Sequence, residues 1–108
     1  MREDRFTQKV AFVTGAATGM GQQFALDLAA EGAKVAISDI EKAGLEETGA
    51  LLKQAGAEYL ALSCNVAKYE EVERAVAEAI GRFGRIDILI NNAGILNSAT
   101  IEETSLEL

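Results

Sequence analysis

Residues 14–21 read TGAATGMG, with three glycines among eight residues, and they directly follow the apolar run VAFV at 10–13. A helical apolar pattern resumes at once. A glycine-rich turn between a buried strand and a helix lets backbone approach a phosphate group, because helix N-terminal amides and the helix dipole favour an anion. A plain tight turn is the simpler alternative, so the rest of the chain has to decide between the two.

The remaining sequence alternates apolar strand patterns with helical ones. This order predicts an α/β fold, in which a parallel sheet is covered by helices on both faces. Right-handed crossovers then give a doubly wound sheet of about four strands in the order 3-2-1-4. The predicted strands are 9–14, 34–39, 58–64 and 86–90, and the predicted helices are 20–30, 41–55 and 69–83.

The apolar residues within two of the helices predict their buried faces from the 3.6-residue period. The face of helix 41–55 consists of Leu45, Leu51 and Leu52, and that of helix 69–83 consists of Val72, Val76, Ala79, Ile80 and Phe83.

Composition narrows the class of function. The 108 residues suggest one domain. Ten Lys and Arg against seventeen Asp and Glu give a net charge of −7, which argues against a nucleic-acid partner and an anionic membrane surface. One cysteine and no histidine argue against an intrachain disulfide, a zinc site or a serine–histidine nucleophile. With no apolar run near the ~20 residues of a membrane span and no signal peptide, we expect a cytoplasmic protein.

The glycines are spaced for a phosphate-binding turn. Gly15 would make the tight turn, Gly19 would let backbone approach a pyrophosphate, and Gly21 would let the helix pack closely on the sheet. No lysine follows them, so the loop is not a Walker A loop.

An acid stands where such a site needs one. Asp39 ends the second predicted strand, 18 residues after Gly21, and its carboxylate can accept hydrogen bonds from both hydroxyls of an adenosine ribose. It would also repel a 2′-phosphate, and neither Ala16-Ala17-Thr18 nor Ile40-Glu41 supplies a basic side chain, so the pattern favours NAD over NADP. The alternative role for Asp39 is N-cap of the helix that follows.

Two motifs together resemble one family. TGAATGMG is similar to the TGxxxGxG motif of the short-chain dehydrogenase/reductase family, and NNAG, directly after the fourth strand at 91–94, is similar to its second motif. The resemblance runs from residue 9 to the last residue and covers the N-terminal half of a typical member. It implies a Rossmann-like fold that binds a dinucleotide cofactor.

The resemblance also implies a role for each matching residue. Residues 15–20 would wrap the pyrophosphate, Asp39 would hold the adenine ribose, and Asn65-Val66 would lie beside the adenine where the family often has Asp-Val. Asn65 as a plain turn residue is the alternative. Asn92 and Gly94 would pass near the nicotinamide ribose, with the asparagine amides tying this strand end to the loop near Thr14. The predicted cofactor-binding set is Gly15, Ala16, Ala17, Thr18, Gly19, Met20, Gly21, Asp39, Ile40, Asn65, Val66, Asn92, Ala93 and Gly94.

The family's chemistry, as the resemblance implies it, is hydride transfer between NAD and an alcohol or carbonyl substrate, with a tyrosine and a lysine spaced as Y-x-x-x-K. Ser63 stands four residues after Tyr59, and Glu73 four after Tyr69, so neither tyrosine fits. We interpret Tyr59 as a packing residue and Tyr69 as a helix start. Ser98 and Ser105 are interpreted as loop residues. No catalytic residue is therefore predicted in this chain.

The last residues predict that the chain is part of a longer protein. TSLE at 104–107 has the pattern of a capping box that opens a helix, and the chain ends one residue later. The parent would be an oxidoreductase, often a homo-oligomer in this family. Two alternatives stay open: a non-catalytic nucleotide-binding module, and a structural half-Rossmann unit that binds nothing.

We expect the isolated 108-residue chain to be marginally stable or to self-associate, because strand 86–90 (IDILI) would form an apolar sheet edge. Sedimentation velocity and thermal melting test this expectation. A monomer with a cooperative melt would contradict it.

Overall fold

The computed structural model describes residues 6–92, and the structural statements below concern that part of the chain. Strands and helices alternate along it as the sequence predicts. The elements are β1 (Val10–Thr14), α1 (Gly19–Ala30), β2 (Lys34–Asp39), α2 (Lys42–Gln54), β3 (Tyr59–Ser63), α3 (Tyr69–Phe83) and β4 (Ile88–Asn91). Most boundaries differ from the predicted ones by one residue at most, whereas β4 begins two residues later than expected.

The four strands form one parallel sheet in the order β3-β2-β1-β4, which confirms the predicted topology. Phe12 of β1 is the register partner of Ala36 on one side and of Leu89 on the other. All four strands therefore point the same way, and their carboxyl ends meet along one edge. Residues that follow the strands in sequence, although far apart along the chain, become neighbours there.

Helices cover both faces of the sheet, as predicted. On one face, α1 and α2 pack over β1 and β2 around Val13, Ile37 and Leu52. On the other face, α3 packs over Phe12 and Ala36. The central strands are buried on both sides, and this accounts for their continuous apolar sequence.

Five residues predicted to be buried are at most half-buried, namely Leu51, Val72, Val76, Ile80 and Phe83. Ile80 is 45% exposed, because the buried line of α3 runs through Ala75 and Ala79 and each step along a helix turns the side chain by about 100°. Leu51 is only half-buried, whereas Leu45 and Leu52 lie in the core. The small alanines bring the α3 backbone close to the sheet and leave the larger Ile80 outside.

Asp87 explains why β4 starts late. Its Oδ2 accepts a hydrogen bond from the backbone amide of Val10 at 2.9 Å, and its own amide donates to the Val10 carbonyl at 2.8 Å. Arg85 donates to Oδ1 of the same carboxylate at 2.7 Å. These hydrogen bonds set the start of the β1–β4 pairing, and Asn91 therefore lies opposite Thr14 at the carboxyl end of the strands.

The hydrogen bond from Arg85, followed by that from the Val10 amide, lowers the pKa of Asp87. A lowered pKa in the folded state gives a stabilisation that is complete above the unfolded pKa of about 3.9 and is lost as the pH falls through the folded value.

We therefore expect Asp87→Asn to lower the melting temperature at pH 7, with a smaller difference from the native protein at pH 3. Melting curves across this range test the expectation, and a difference independent of pH would contradict it.

Candidate functional site

A cleft of about 210 Å³ opens at the carboxyl ends of the strands. It lies where the chain leaves β1, β2 and β3, which is where ligands bind in open α/β sheets. Five of its six lining residues belong to the set predicted from sequence. The lining consists of Gly15, Asp39, Ile40, Cys64, Asn65 and Val66.

A larger cleft, of about 330 Å³, opens at the other end of the sheet. Its walls include Thr7, Ala33 and Gly56, and none of its lining residues belongs to the predicted set. Lys34 and Glu58, which also line it, pair with each other at 3.7 Å. Volume alone would therefore favour the cleft at the amino ends of the strands. We take the smaller cleft as the candidate site, because the glycine turn and Asp39 of the predicted site converge there.

The glycine turn requires glycine for two different reasons. Gly15 and Gly19 have φ values of 65° and 58°, in the left-handed region that residues with a side chain seldom adopt. Gly21 is a matter of space instead, because a Cβ there would overlap the carbonyl oxygen of Gly15 and lie 2.8 Å from Nδ2 of Asn92. A close approach at Gly21 is present, but it is made with the glycine loop and Asn92 rather than with the strands of the sheet.

The N-terminus of α1 is open to a ligand. Thr18 is its N-cap and, within residues 6–92, makes no side-chain capping bond. Thr18, Gly19 and Met20 are exposed, and the first turn carries no acidic side chain. The first amides of a helix have no intrahelical acceptor, so this turn presents donors and the positive end of a dipole to an anion.

Asp39 lies beside this turn and holds two backbone amides. Its Oδ2 accepts from Ala17 and its Oδ1 from Glu41, each at 2.9 Å. The alternative role of Asp39 as N-cap of α2 is wrong, because the N-cap is Glu41, whose side chain accepts from the Gly44 amide at 2.7 Å. A carboxylate offers about four acceptor positions, and the bonds made within residues 6–92 occupy two of those on Asp39.

The end of β4 is tied to the glycine turn. Thr14 Oγ1 donates to Oδ1 of Asn91 at 3.0 Å, and Asn92 Nδ2 donates to the carbonyl of Gly15 at 3.1 Å. These bonds confirm the predicted connection between the asparagine amides and the loop. Ala93 and Gly94, the rest of the motif, lie outside the described residues.

Asn65 takes the turn role that was the alternative for it, and it also borders the cleft. Its Oδ1 accepts from the Ala67 amide at 2.9 Å, and its backbone amide donates to the Glu71 carboxylate at 2.7 Å. Two apolar residues of the cleft lining, Ile40 and Val66, are exposed to solvent, at 65% and 40%. Exposed apolar side chains on a cleft wall are suited to contact with a flat ring.

Sequence reasoning missed four residues around the site. The Thr48 hydroxyl donates to the Ala16 carbonyl and accepts from Gln22, so both side chains support the loop from beneath. A Cβ at Gly44 would lie 2.8 Å from the carbonyl oxygen of Ala17. Cys64 lines the cleft, and burial raises the pKa of its thiol, with a smaller contribution from the Glu71 carboxylate. The sequence does contain one signal for these residues. Gly44 and Thr48 are small residues four apart on α2, a spacing that indicates a close contact but does not identify the segment contacted.

The tyrosines lie as interpreted. Tyr59 is half-buried, with its ring 3.0 Å from the position of a Cβ on Gly49, and Tyr69 is an exposed residue at the start of α3. Ser98 and Ser105 fall outside the described residues. Within residues 6–92, no helix has both the length and the apolarity to cross a bilayer.

Fold and site together define a class. An open parallel sheet with a glycine turn, an uncapped helix start and an acid after the second strand is the architecture of a nucleotide-binding α/β domain. The family model for short chain dehydrogenase matches residues 9–108, and the chain belongs to that family.

Similar proteins agree in sequence and in fold. An uncharacterized oxidoreductase of Thermotoga maritima is 45% identical over 102 residues, which are 94% of this chain and 40% of that protein. A short chain dehydrogenase from Mycobacterium smegmatis superposes with a TM-score of 0.79 at 36% identity, covering 82% of this chain and 38% of its own. A family member from Burkholderia phymatum, solved in complex with NAD, gives a TM-score of 0.76 at 33% identity, covering 78% and 30%. The chain thus spans about two-fifths of the length of the Thermotoga relative.

Two helical glycines provide a matched test of the close approach at the site. We expect Gly21→Ala to lower stability by about 1–3 kcal/mol, the usual cost of overpacking, because the loop or the helix must move. Gly81→Ala in α3, where a Cβ would have no neighbour within 4 Å, should instead raise stability by about 1 kcal/mol. Urea unfolding measures both, and equal effects of the two substitutions would contradict this account.

Proposed function

We propose that this chain is the NAD-binding part of an oxidoreductase that transfers hydride between NAD and an alcohol or carbonyl substrate in the full-length protein. The observation that carries the proposal is the position of Asp39, whose carboxylate lines the cleft and contacts the glycine turn at the same time. One acid can therefore serve the adenosine ribose directly beside the loop that would hold the pyrophosphate.

The pyrophosphate would lie on residues 15–20. The exposed start of α1 offers backbone donors and no competing acid, and helix starts of this kind bind phosphate groups. Met20 is 55% exposed at this end of the helix, beside the same turn. The close approach at Gly21 keeps the helix start next to the strand end, where the ligand would arrive.

The adenosine would occupy the cleft, with its ring between Ile40 and Val66. Its ribose hydroxyls would donate to the two acceptor positions of Asp39 that its bonds to backbone amides leave. Asn65 lines the same cleft, and its amide nitrogen could donate to the ring edge, since its oxygen already accepts from Ala67.

The preference for NAD over NADP is part of the proposal and rests on charge. A 2′-phosphate would lie against the Asp39 carboxylate, and like charges at close range in a partly buried site repel each other. Neither residues 16–18 nor Ile40 and Glu41 contribute a cationic side chain to offset this repulsion. The solved relative in complex with NAD supports the same cofactor.

The nicotinamide half would pass Asn92, Ala93 and Gly94. We assign the catalytic tyrosine and lysine, the substrate-binding segment and a homo-oligomer interface to the remainder of the full-length protein. A cytoplasmic location belongs to the same proposal, as do the absence of nucleic-acid and membrane partners, and both rest on the acidic charge and the composition.

Asp39→Asn tests the ribose and charge argument. We expect the full-length variant to bind NAD about ten- to a hundred-fold more weakly, because hydrogen bonds to a charged group contribute about 1.5–3 kcal/mol. The preference for NAD over NADP should narrow as well, since the repelling charge is gone. Isothermal titration calorimetry with both dinucleotides measures the two effects.

Asp27→Asn is the matched control, because it removes the same charge from an exposed residue of α1 whose Oδ1 accepts from Gln23 of the same helix. Its dissociation constants should equal those of the native protein. Tighter binding of NADP than NAD by the native protein would contradict the specificity proposal. Failure to bind either dinucleotide would favour a structural unit that binds nothing.

A further inference from the structure

The peptide that joins Ala16 to Ala17 is held on both of its polar sides. Its carbonyl oxygen, on Ala16, accepts from Thr48 Oγ1 at 2.7 Å, and its amide, on Ala17, donates to Asp39 at 2.9 Å. A peptide unit is planar, so two opposed hydrogen bonds fix the rotation of the whole unit. The middle of the glycine turn is therefore set by contacts from outside the turn.

Thr48 makes the first of these two contacts from the core. Thr48 is a fully buried residue of α2, and its hydroxyl also accepts from Gln22 Nε2 at 2.9 Å. Gln22 lies in α1, on the first turns whose amides face the proposed pyrophosphate site. One hydroxyl thus joins three parts of the structure: the loop carbonyl, the start of α1 and the body of α2.

The Ala16 carbonyl lies in closely packed surroundings. A Cβ added to Gly44 of α2 would lie only 2.8 Å from the Ala17 carbonyl oxygen, so α2 is already in close contact with the loop. Ala16 and Ala17 are themselves buried, at 0% and 2% exposed, so the Ala16 carbonyl is screened from solvent. Without the Thr48 donor that oxygen would be left unpaired in the core, which favours rotation of the peptide away from its position.

We propose that Thr48, supported by Gln22, is a positioning residue for cofactor binding. By holding the Ala16–Ala17 peptide, it keeps the Ala17 amide on Asp39 and so fixes the position of the Asp39 carboxylate at the cleft. It acts through the loop and touches no ligand itself. This inference rests on the proposed function, because it assigns Thr48 to the same dinucleotide site.

Thr48→Val removes the hydroxyl at nearly constant shape and is the principal test in the full-length protein. We expect its dissociation constants for NAD and for ADP-ribose to rise about tenfold, equivalent to one lost hydrogen bond of about 1.4 kcal/mol. Thr48→Ser keeps the hydroxyl and should bind both within about threefold of the native protein. Calorimetry well below the melting temperature of every variant measures these values.

A control for plain destabilisation lies one turn further along the same helix. Leu52 is fully buried in the core, four residues and so about one helical turn beyond Thr48 on α2. Leu52→Ala should lower the melting temperature at least as much as Thr48→Val and yet leave both dissociation constants unchanged. If Thr48→Val does not fold, Gln22→Met removes the support of the hydroxyl and should weaken both ligands in the same direction.

The outcomes separate this inference from the function on which it rests. Absence of NAD binding by the native protein would overturn the proposed function. Native binding with an unchanged dissociation constant in a folded Thr48→Val, or in Gln22→Met where the valine variant does not fold, would overturn the positioning role alone. Failure of serine to restore binding that valine loses would overturn it too, since the hydroxyl would then not be the active group.

Discussion

The close approach of Gly21 to the carbonyl group of Gly15 is the contact on which the rest of the site depends. It places the first turn of α1 directly against the end of β1, and the same carbonyl accepts from Asn92 at the end of β4. Three separate chain segments thus converge on one peptide group. A residue with a side chain at position 21 would separate them, and the amides of α1 would no longer lie beside the cleft.

Parallel strand pairing makes that convergence possible. Each strand delivers its following residues to the same sheet edge, so the glycine turn, Asp39 and Asn65 become neighbours although the intervening helices separate them along the chain. The hydrogen bonds between Asp87 and Val10 lie at the opposite end of β4 and set the register that brings Asn91 to Thr14. The far end of the sheet therefore contributes to the geometry of the site without touching it.

The helices α1 and α2, which pack on the same face of the sheet, have different roles around the glycine turn. α1 presents its uncapped first turn to the outside, whereas α2 supports the turn from the inside through Gly44 and Thr48. Asp39 completes the arrangement, since its carboxylate joins the turn to the start of α2 and the residue also lines the cleft. The acid is thus part of the structure of the loop as well as a candidate ligand group.

The sequence by itself determined the order of elements, the sheet topology, the glycine turn, and the positions of Asp39 and Asn91–Asn92 at strand ends. These features depend on local patterns: apolar period, glycine spacing, and an acid or amide directly after a strand. Only the tertiary structure decided that Glu41 caps α2, that Ile80 faces outward, and that Thr48 and Gln22 hold the loop. The bond from Thr48 to Ala16 spans 32 residues, and such contacts follow from the distance between packed helices, which no local pattern records.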